Sequence, residues 1–196
     1  MKKGIIILIV VGALILIGIF STVSMYNGLV ASEEGVNGQW ANVENVYQRR
    51  ADLIPNLVNT VKGYADFEKK TLTDVVEARA KATSVNIDPT KLTPEALKQF
   101  TQAQDGLSSA LGRLMVVVEK YPDLKANQNF MDLQAQLEGT ENRITVERRK
   151  FNEMAQTYNT GIRRFPKNMI AGMFGFEKKA YFEAQEGAEK APEVKF

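Results

Sequence analysis

The chain has 196 residues, 25 Lys+Arg against 23 Asp+Glu, and neither His nor Cys. Without His there is no imidazole base, no Ser-His-Asp or Cys-His arrangement and no His-ligated metal. Without Cys there is no thiolate zinc site, disulfide, redox pair or lipid-modified thiol. Once Lys2 and Lys3 are set aside the acidic and basic side chains balance, which counts against nucleic acid as a partner.

Gly4 to Phe20 is a run of 17 residues without a polar side chain, and no charge follows until Glu33. As a helix, 17–20 residues cover about 26–30 Å, the thickness of a bilayer's hydrocarbon core. Gly4, Ile5, Leu8, Gly12, Leu16 and Phe20 mark this span. A cleavable signal peptide has a shorter apolar region ending at an Ala-x-Ala-like site, so the run reads as an uncleaved anchor in the lipid bilayer. No GxxxG pair lies within it. Lys2 and Lys3 precede the span and the next basic residue is Arg49. The positive-inside rule then predicts a single-pass protein, N-terminus cytoplasmic and the remainder extracytoplasmic.

Beyond the span the apolar positions keep a seven-residue beat. Tyr26, Glu33, Trp40, Tyr47, Ile54 and Val61 form one row; Leu29, Val36, Val43, Arg50, Leu57 and Tyr64 form the other. This is a helix with one buried seam, interrupted by charge at Glu33 and Arg50. Pro55 removes a backbone donor, so a kink is expected near Asp52. A second helix is predicted over Asp66–Thr83, with Leu72, Val75, Val76, Ala78 and Ala82 inward. A turn-rich loop follows, and Thr93-Pro94 is a helix start. The third helix keeps the beat in Phe100, Leu107, Leu114 and Tyr121. The fourth keeps it in Phe130, Leu137, Ile144, Phe151, Tyr158 and Phe165, with Leu133, Thr140, Glu147, Met154 and Gly161 alongside. The pattern predicts an all-α protein: an N-terminal transmembrane helix (1–25), an antiparallel up-and-down four-helix bundle with long helices (26–166), and a C-terminal apolar segment with a charged, partly disordered tail (167–196).

These blocks resemble the LemA family. Tyr26-Asn27, the stretch Trp40 to Val58 and Gly63-Tyr64 carry one signature. Gly139 to Ile144, Arg148 to Asn152, Tyr158-Asn159 and Phe165-Pro166 carry a second. Gly175-Phe176 and Tyr181-Phe182-Glu183 look like its C-terminal pattern. Phe151 stands where the family commonly has Tyr. The resemblance implies a bacterial single-pass membrane protein with a four-helix bundle, no catalytic residues and no cofactor. It also implies association with a membrane zinc protease of the HtpX type.

Arg49, Arg50 and Asp52, beside Pro55 and Asn56, form a candidate polar notch, with Glu141, Arg148 and Asn152 of the fourth helix opposite. The notch reads either as a ligand or partner site or, more simply, as ion pairs that fix helix register. Paired acids such as Glu33-Glu34, or Asp52 with Glu141, lack the cleft that a raised carboxylate pKa needs. Arg148-Arg-Lys150 and Arg163-Arg164 read as solvated faces, since Glu141, Glu147 and Glu153 are interleaved. Met169, Met173, Phe174 and Phe176 form a candidate interaction segment that folds back, lies on a membrane or docks a partner. Deleting 167–196 is expected to leave the helices folded and to weaken assembly. The sequence as a whole points to a non-enzymatic, membrane-anchored interaction or scaffold module that either self-assembles as a homo-oligomer or associates with another membrane protein. A carboxylate-based envelope hydrolase and a transmembrane sensor are the alternatives.

Overall fold

The computed structural model describes residues 2–63 and 68–183, and among them the chain is helical with no strand. Six helices appear in order: α1 (Lys2–Lys62), α2 (Lys69–Ser84), α3 (Pro94–Val118), α4 (Pro122–Lys125), α5 (Gln128–Arg163) and α6 (Lys167–Phe174). A short 3₁₀ turn, Pro89–Lys91, lies between α2 and α3.

α1 is a single helix of 61 residues, about 90 Å long at the usual rise. Its apolar run is exposed, Phe20 by 75% and Leu8 by 75%. It is the one helix among the described residues that is long and apolar enough to cross a membrane. From Leu29 onward the same helix is the spine of the core, with Val36, Trp40, Val43, Ile54, Leu57 and Val61 wholly buried. One N-terminal apolar helix of this kind fits a single-pass membrane anchor.

α5 runs antiparallel along α1, and the two seams meet step for step. Glu33 faces Tyr158, Trp40 packs on Phe151, and Arg50 pairs with Glu141, so rising along α1 means descending along α5. α2 packs on α3 and on α1. The α3 start is built as its sequence dictates, with the Thr93 hydroxyl accepting from the Ala96 amide (3.2 Å) and Pro94 in the first turn. Asn127 caps α5 likewise through the Phe130 amide (3.1 Å).

The core has two parts. A distal cluster joins Leu53–Val61 of α1 with Leu72 and Val75 of α2, Leu107 and Leu114 of α3, Leu124, and Phe130 and Leu137 of α5. A proximal cluster, nearer the apolar run, joins Leu29–Tyr47 with Ile144–Ile162, Phe100, Ile87, Leu92, Ile170 and Phe182. α2 has 16 residues and α3 has 25, against 36 in α5, so the shorter pair cannot flank α5 along its whole length. The C-terminal segment fills the space they leave.

α1 continues through Pro55 to Lys62 as one helix. Other expectations change. α2 begins at Lys69 and α3 ends at Val118, ahead of Tyr121; Tyr64 and Asp66 lie outside the described residues. Val76 is 48% exposed because it points away from the seam that Leu72 and Val75 define, and Phe165 is 81% exposed because α5 stops at Arg163. Beyond residue 166, Ile170, Ala171 and Phe182 belong to the same core as Trp40. Residues 177–183 of the charged tail are described and pack against the helices; its end, where disorder is expected, is residues 184–196 and lies outside the described part.

Candidate functional site

The two charges that interrupt the α1 seam each anchor a polar network. Arg50 is 2% exposed. Its Nη1 donates to Glu141 Oε2 (2.8 Å) and Ser108 Oγ (2.9 Å), and its Nη2 to Gln104 Oε1 (2.7 Å) and the Gln104 carbonyl (3.2 Å). The guanidinium also lies 5.1 Å from the Tyr47 ring centre. Gln104 passes the network on, its Nε2 donating to the Ala82 carbonyl (3.1 Å) at the end of α2. One planar cation thereby ties α1, α3 and α5 together, and a glutamine adds α2, which specifies relative height in a way apolar contacts do not.

Pro55 has a partner that the sequence did not point to. Lacking an N–H, it leaves the Ala51 carbonyl without its helical donor. Arg79 Nε of α2 donates to that carbonyl at 2.7 Å, filling the vacancy from a neighbouring helix. The other notch candidates do not converge. Arg49 and Asn56 are exposed, and Asp52 accepts from Gln48 (2.7 Å) on its own helix. A recess of ≈ 240 Å³ lies beside the network, lined by Tyr47, Gln48, Asn86, Phe100 and Gln104 among others. That is below the range of about 300–1,000 Å³ usual for small-molecule sites.

Arg148 and Asn152 belong to a different assembly. After α6, Gly175 takes a left-handed conformation (φ 75°) and the Phe176 amide returns to the Ala171 carbonyl (3.0 Å), a helix stop that favours glycine. The chain then runs extended, antiparallel to α5, as a strap. Asn159 Oδ1 accepts from the Lys179 amide (2.9 Å) while its Nδ2 donates to the Lys179 carbonyl (2.8 Å) and the Tyr181 hydroxyl (2.9 Å). Asn152 repeats the clamp on Phe182, accepting at 2.9 Å and donating at 2.8 Å. The spacing has a simple cause: seven helical residues rise about 10.5 Å, and three extended residues cover about 10 Å. Two asparagines two turns apart therefore meet peptide units three residues apart.

The strap carries its own side chains inward. Phe182 stacks on Trp40 (5.9 Å, 16°) and meets Phe151 edge-on (5.4 Å), with the Arg148 guanidinium 4.5 Å from its ring centre. Lys179, 5% exposed, pairs with Glu33 (2.8 Å) and donates to the Thr90 carbonyl (3.0 Å). Glu33 also faces the Tyr158 hydroxyl at 3.5 Å. Burial first, then the Glu33 carboxylate, pushes the Tyr158 hydroxyl well above the usual tyrosine range, and burial also raises that of Tyr47. Glu147 is held below the ordinary carboxylate range by hydrogen bonds from Lys150 and Gln39.

A third feature lies beside the end of the apolar run. Ile170 and Ala171 bury one side of α6. Met169 (62%), Met173 (73%) and Phe174 (54%) face outward, while Phe176 is half-buried. Phe174 packs on Tyr26 at 4.8 Å and Phe176 at 5.7 Å, so α6 folds back on α1 while presenting most of the candidate interaction segment.

A family model described as the LemA family matches residues 39–196, from the residue before Trp40 through the strap. The chain belongs to the LemA family. Similar proteins include magnetosome protein MamQ 2 of Paramagnetospirillum magneticum, 29% identical over 90% of this chain and 71% of the relative. MamQ of Magnetospirillum gryphiswaldense is 28% identical over 89% of this chain and 71% of its own length. Protein LemA of Metamycoplasma hominis is 26% identical over 85% of this chain and 73% of its own. The family match takes in the Arg50 network and the strap and leaves Glu33 and the apolar run outside it. Sequence reasoning passed over Arg79, Gln104, Asn159 and Lys179 as site residues. The signal for the strap is the repeated pair Phe151-Asn152 and Tyr158-Asn159, an amide beside each seam aromatic at the heptad interval.

Proposed function

We infer that this LemA-family chain is a non-enzymatic, membrane-anchored interaction module whose helices form one up-and-down bundle held at a fixed height and register above a bilayer. The observation that carries this reading is the continuity of α1. One helix is exposed and apolar over its first third and is the spine of the core over the rest, so the packed domain and the anchor are one rigid element. Its charged interruptions are engaged inside the chain by Glu141, Gln104 and Lys179, which supports structural service at those positions over turnover. The magnetosome relatives fit a place at a membrane.

Long exposed faces of α3 and α5 are then the surfaces for self-assembly or for another membrane protein. The partner implied by the family resemblance is a zinc protease of the HtpX type. Cross-linking in native membranes should yield species above the monomer; a ladder that stops at the monomer removes the assembly reading. The lysines before the apolar run favour an extracytoplasmic domain. Because the chain has no Cys, Lys81→Cys on the exposed side of α2 reports this directly. Labelling of intact cells by an impermeant maleimide is the expected result, and labelling only after lysis reverses the orientation.

A further inference from the structure

The geometry points to a second membrane contact: we propose that α6 with the preceding corner docks on the surface of an anionic lipid bilayer, beside the point where α1 leaves it. This rests on the anchor reading and adds a site to it.

Height comes first. A hydrocarbon core of about 30 Å accommodates about 20 helical residues, so a span beginning at Gly4 ends near Val23. Residues 25–28 then lie roughly 3–8 Å above it, inside the headgroup layer. α6 is held at that level by direct contact. Phe174 packs on Tyr26 at 4.8 Å, and Arg164, Phe165 and Lys167 line an open groove of ≈ 620 Å³ together with Met25 and Gly28. The α5–α6 corner and α6 itself therefore sit at headgroup depth.

Composition matches that depth. This region exposes the large apolar side chains Phe165 (81% exposed), Met169, Met173 and Phe174 within ten residues of sequence. Arg163, Arg164 and Lys167 flank them, and from Gly161 to Phe176 there is no acidic residue. The interleaved acids that neutralise Arg148-Arg-Lys150 are absent from this stretch of sequence. Among the described residues none of these three cations makes an ion pair. A basic edge beside an apolar face, lying at the interface, is the pattern of a segment that inserts shallowly among anionic lipids. The buried side, Ile170 and Ala171, is already committed to the core, so α6 meets the bilayer as a fixed corner and not as a free peptide.

The test uses the full chain in nanodiscs of phosphatidylcholine and phosphatidylglycerol. Single cysteines at Leu14, Met173 and Val116 carry an environment-sensitive fluorophore, and spin-labelled lipid acyl chains serve as quencher. Met173 and Val116 are 73% and 69% exposed, so neither change disturbs packing. Val116 lies on α3 between Leu114 and Val118 of the distal core. The expected result is loss of most of the signal at Leu14 and Met173 and none at Val116. Replacing Arg163, Arg164 and Lys167 by Gln should restore much of the Met173 signal. Quenching at Leu14 with a Met173 signal as bright as Val116 overturns the docking and leaves the anchor intact. No quenching at Leu14 overturns the anchor reading itself. A Met173 label shifted to the blue yet unquenched also overturns the lipid assignment, because it places a protein on this face.

Discussion

The two halves of the core are buried by different means. The distal half, around Ile54, Leu57, Leu107, Leu114 and Phe130, is mostly aliphatic and drawn from helices whose seams follow the heptad beat. The proximal half, around Trp40, Phe151, Tyr158 and Phe182, is aromatic and completed by an extended segment from the far end of the chain. The difference follows from length. α2 and α3 are too short to cover α1 and α5 down to the membrane end, and a strap filling the remaining groove has backbone groups that need partners. Asn152 and Asn159 supply them, so the aromatic half is held by polar clamps that the aliphatic half does without.

The strongest way to break this comparison is Phe182→Ala. Removing a buried ring stacked on Trp40 should cost about 3–5 kcal/mol. Hydrogen exchange should rise at α1 amides near Trp40 and stay slow near Leu57; equal loosening of both ends would mean the halves are one cooperative unit. The same contacts revise what truncation should do. Deleting 167–196 removes Ile170, Ala171 and Phe182 from the core and should destabilise the proximal half, in place of leaving the helices untouched.

Arg50→Ala tests the joint between the halves. It leaves the buried Gln104 side-chain oxygen without its donor, a loss of about 2–3 kcal/mol by thermal or denaturant unfolding. Glu141→Gln should cost under about 1 kcal/mol, because the Glu141 side chain is 55% exposed. Comparable losses for both variants would show that the ion pair, and not the glutamine, holds Arg50.

A smaller effect sharpens the role of Pro55. Arg79→Ala should cost about 1 kcal/mol in the native background. In a Pro55→Ala background the restored amide can bond the Ala51 carbonyl, so the same change should cost close to nothing. A double-mutant cycle of unfolding free energies measures this coupling, and additivity would remove the compensation account.

The smallest effect is on alkaline stability. Tyr47 and Tyr158 have hydroxyl pKa values raised by burial, while an unfolded tyrosine titrates near pH 10. Their contribution is complete below about pH 10 and falls as pH rises beyond it, since the unfolded chain releases these protons first. Melting temperatures across that range should decline, and Tyr158→Phe should flatten the decline.

Much of this was legible in the residues. The apolar run, the two α1 rows, the Thr93-Pro94 start and the α5 row from Phe130 to Tyr158 follow from periodicity and capping, which are local properties of the chain. Composition alone removed imidazole and thiol chemistry. Tertiary structure decided what the breaks in the pattern are for. Glu33 and Arg50 look alike as charges on a seam, yet one meets Lys179, almost 150 residues away in sequence, and the other Glu141 and Gln104. Local rules do not reach that far. The same holds for residues 176–183, whose charged sequence suggests a solvated tail. Their place in the core depends on a groove that exists only once α2 and α3 have fallen short of α5, and on two asparagines standing two helical turns apart at its wall.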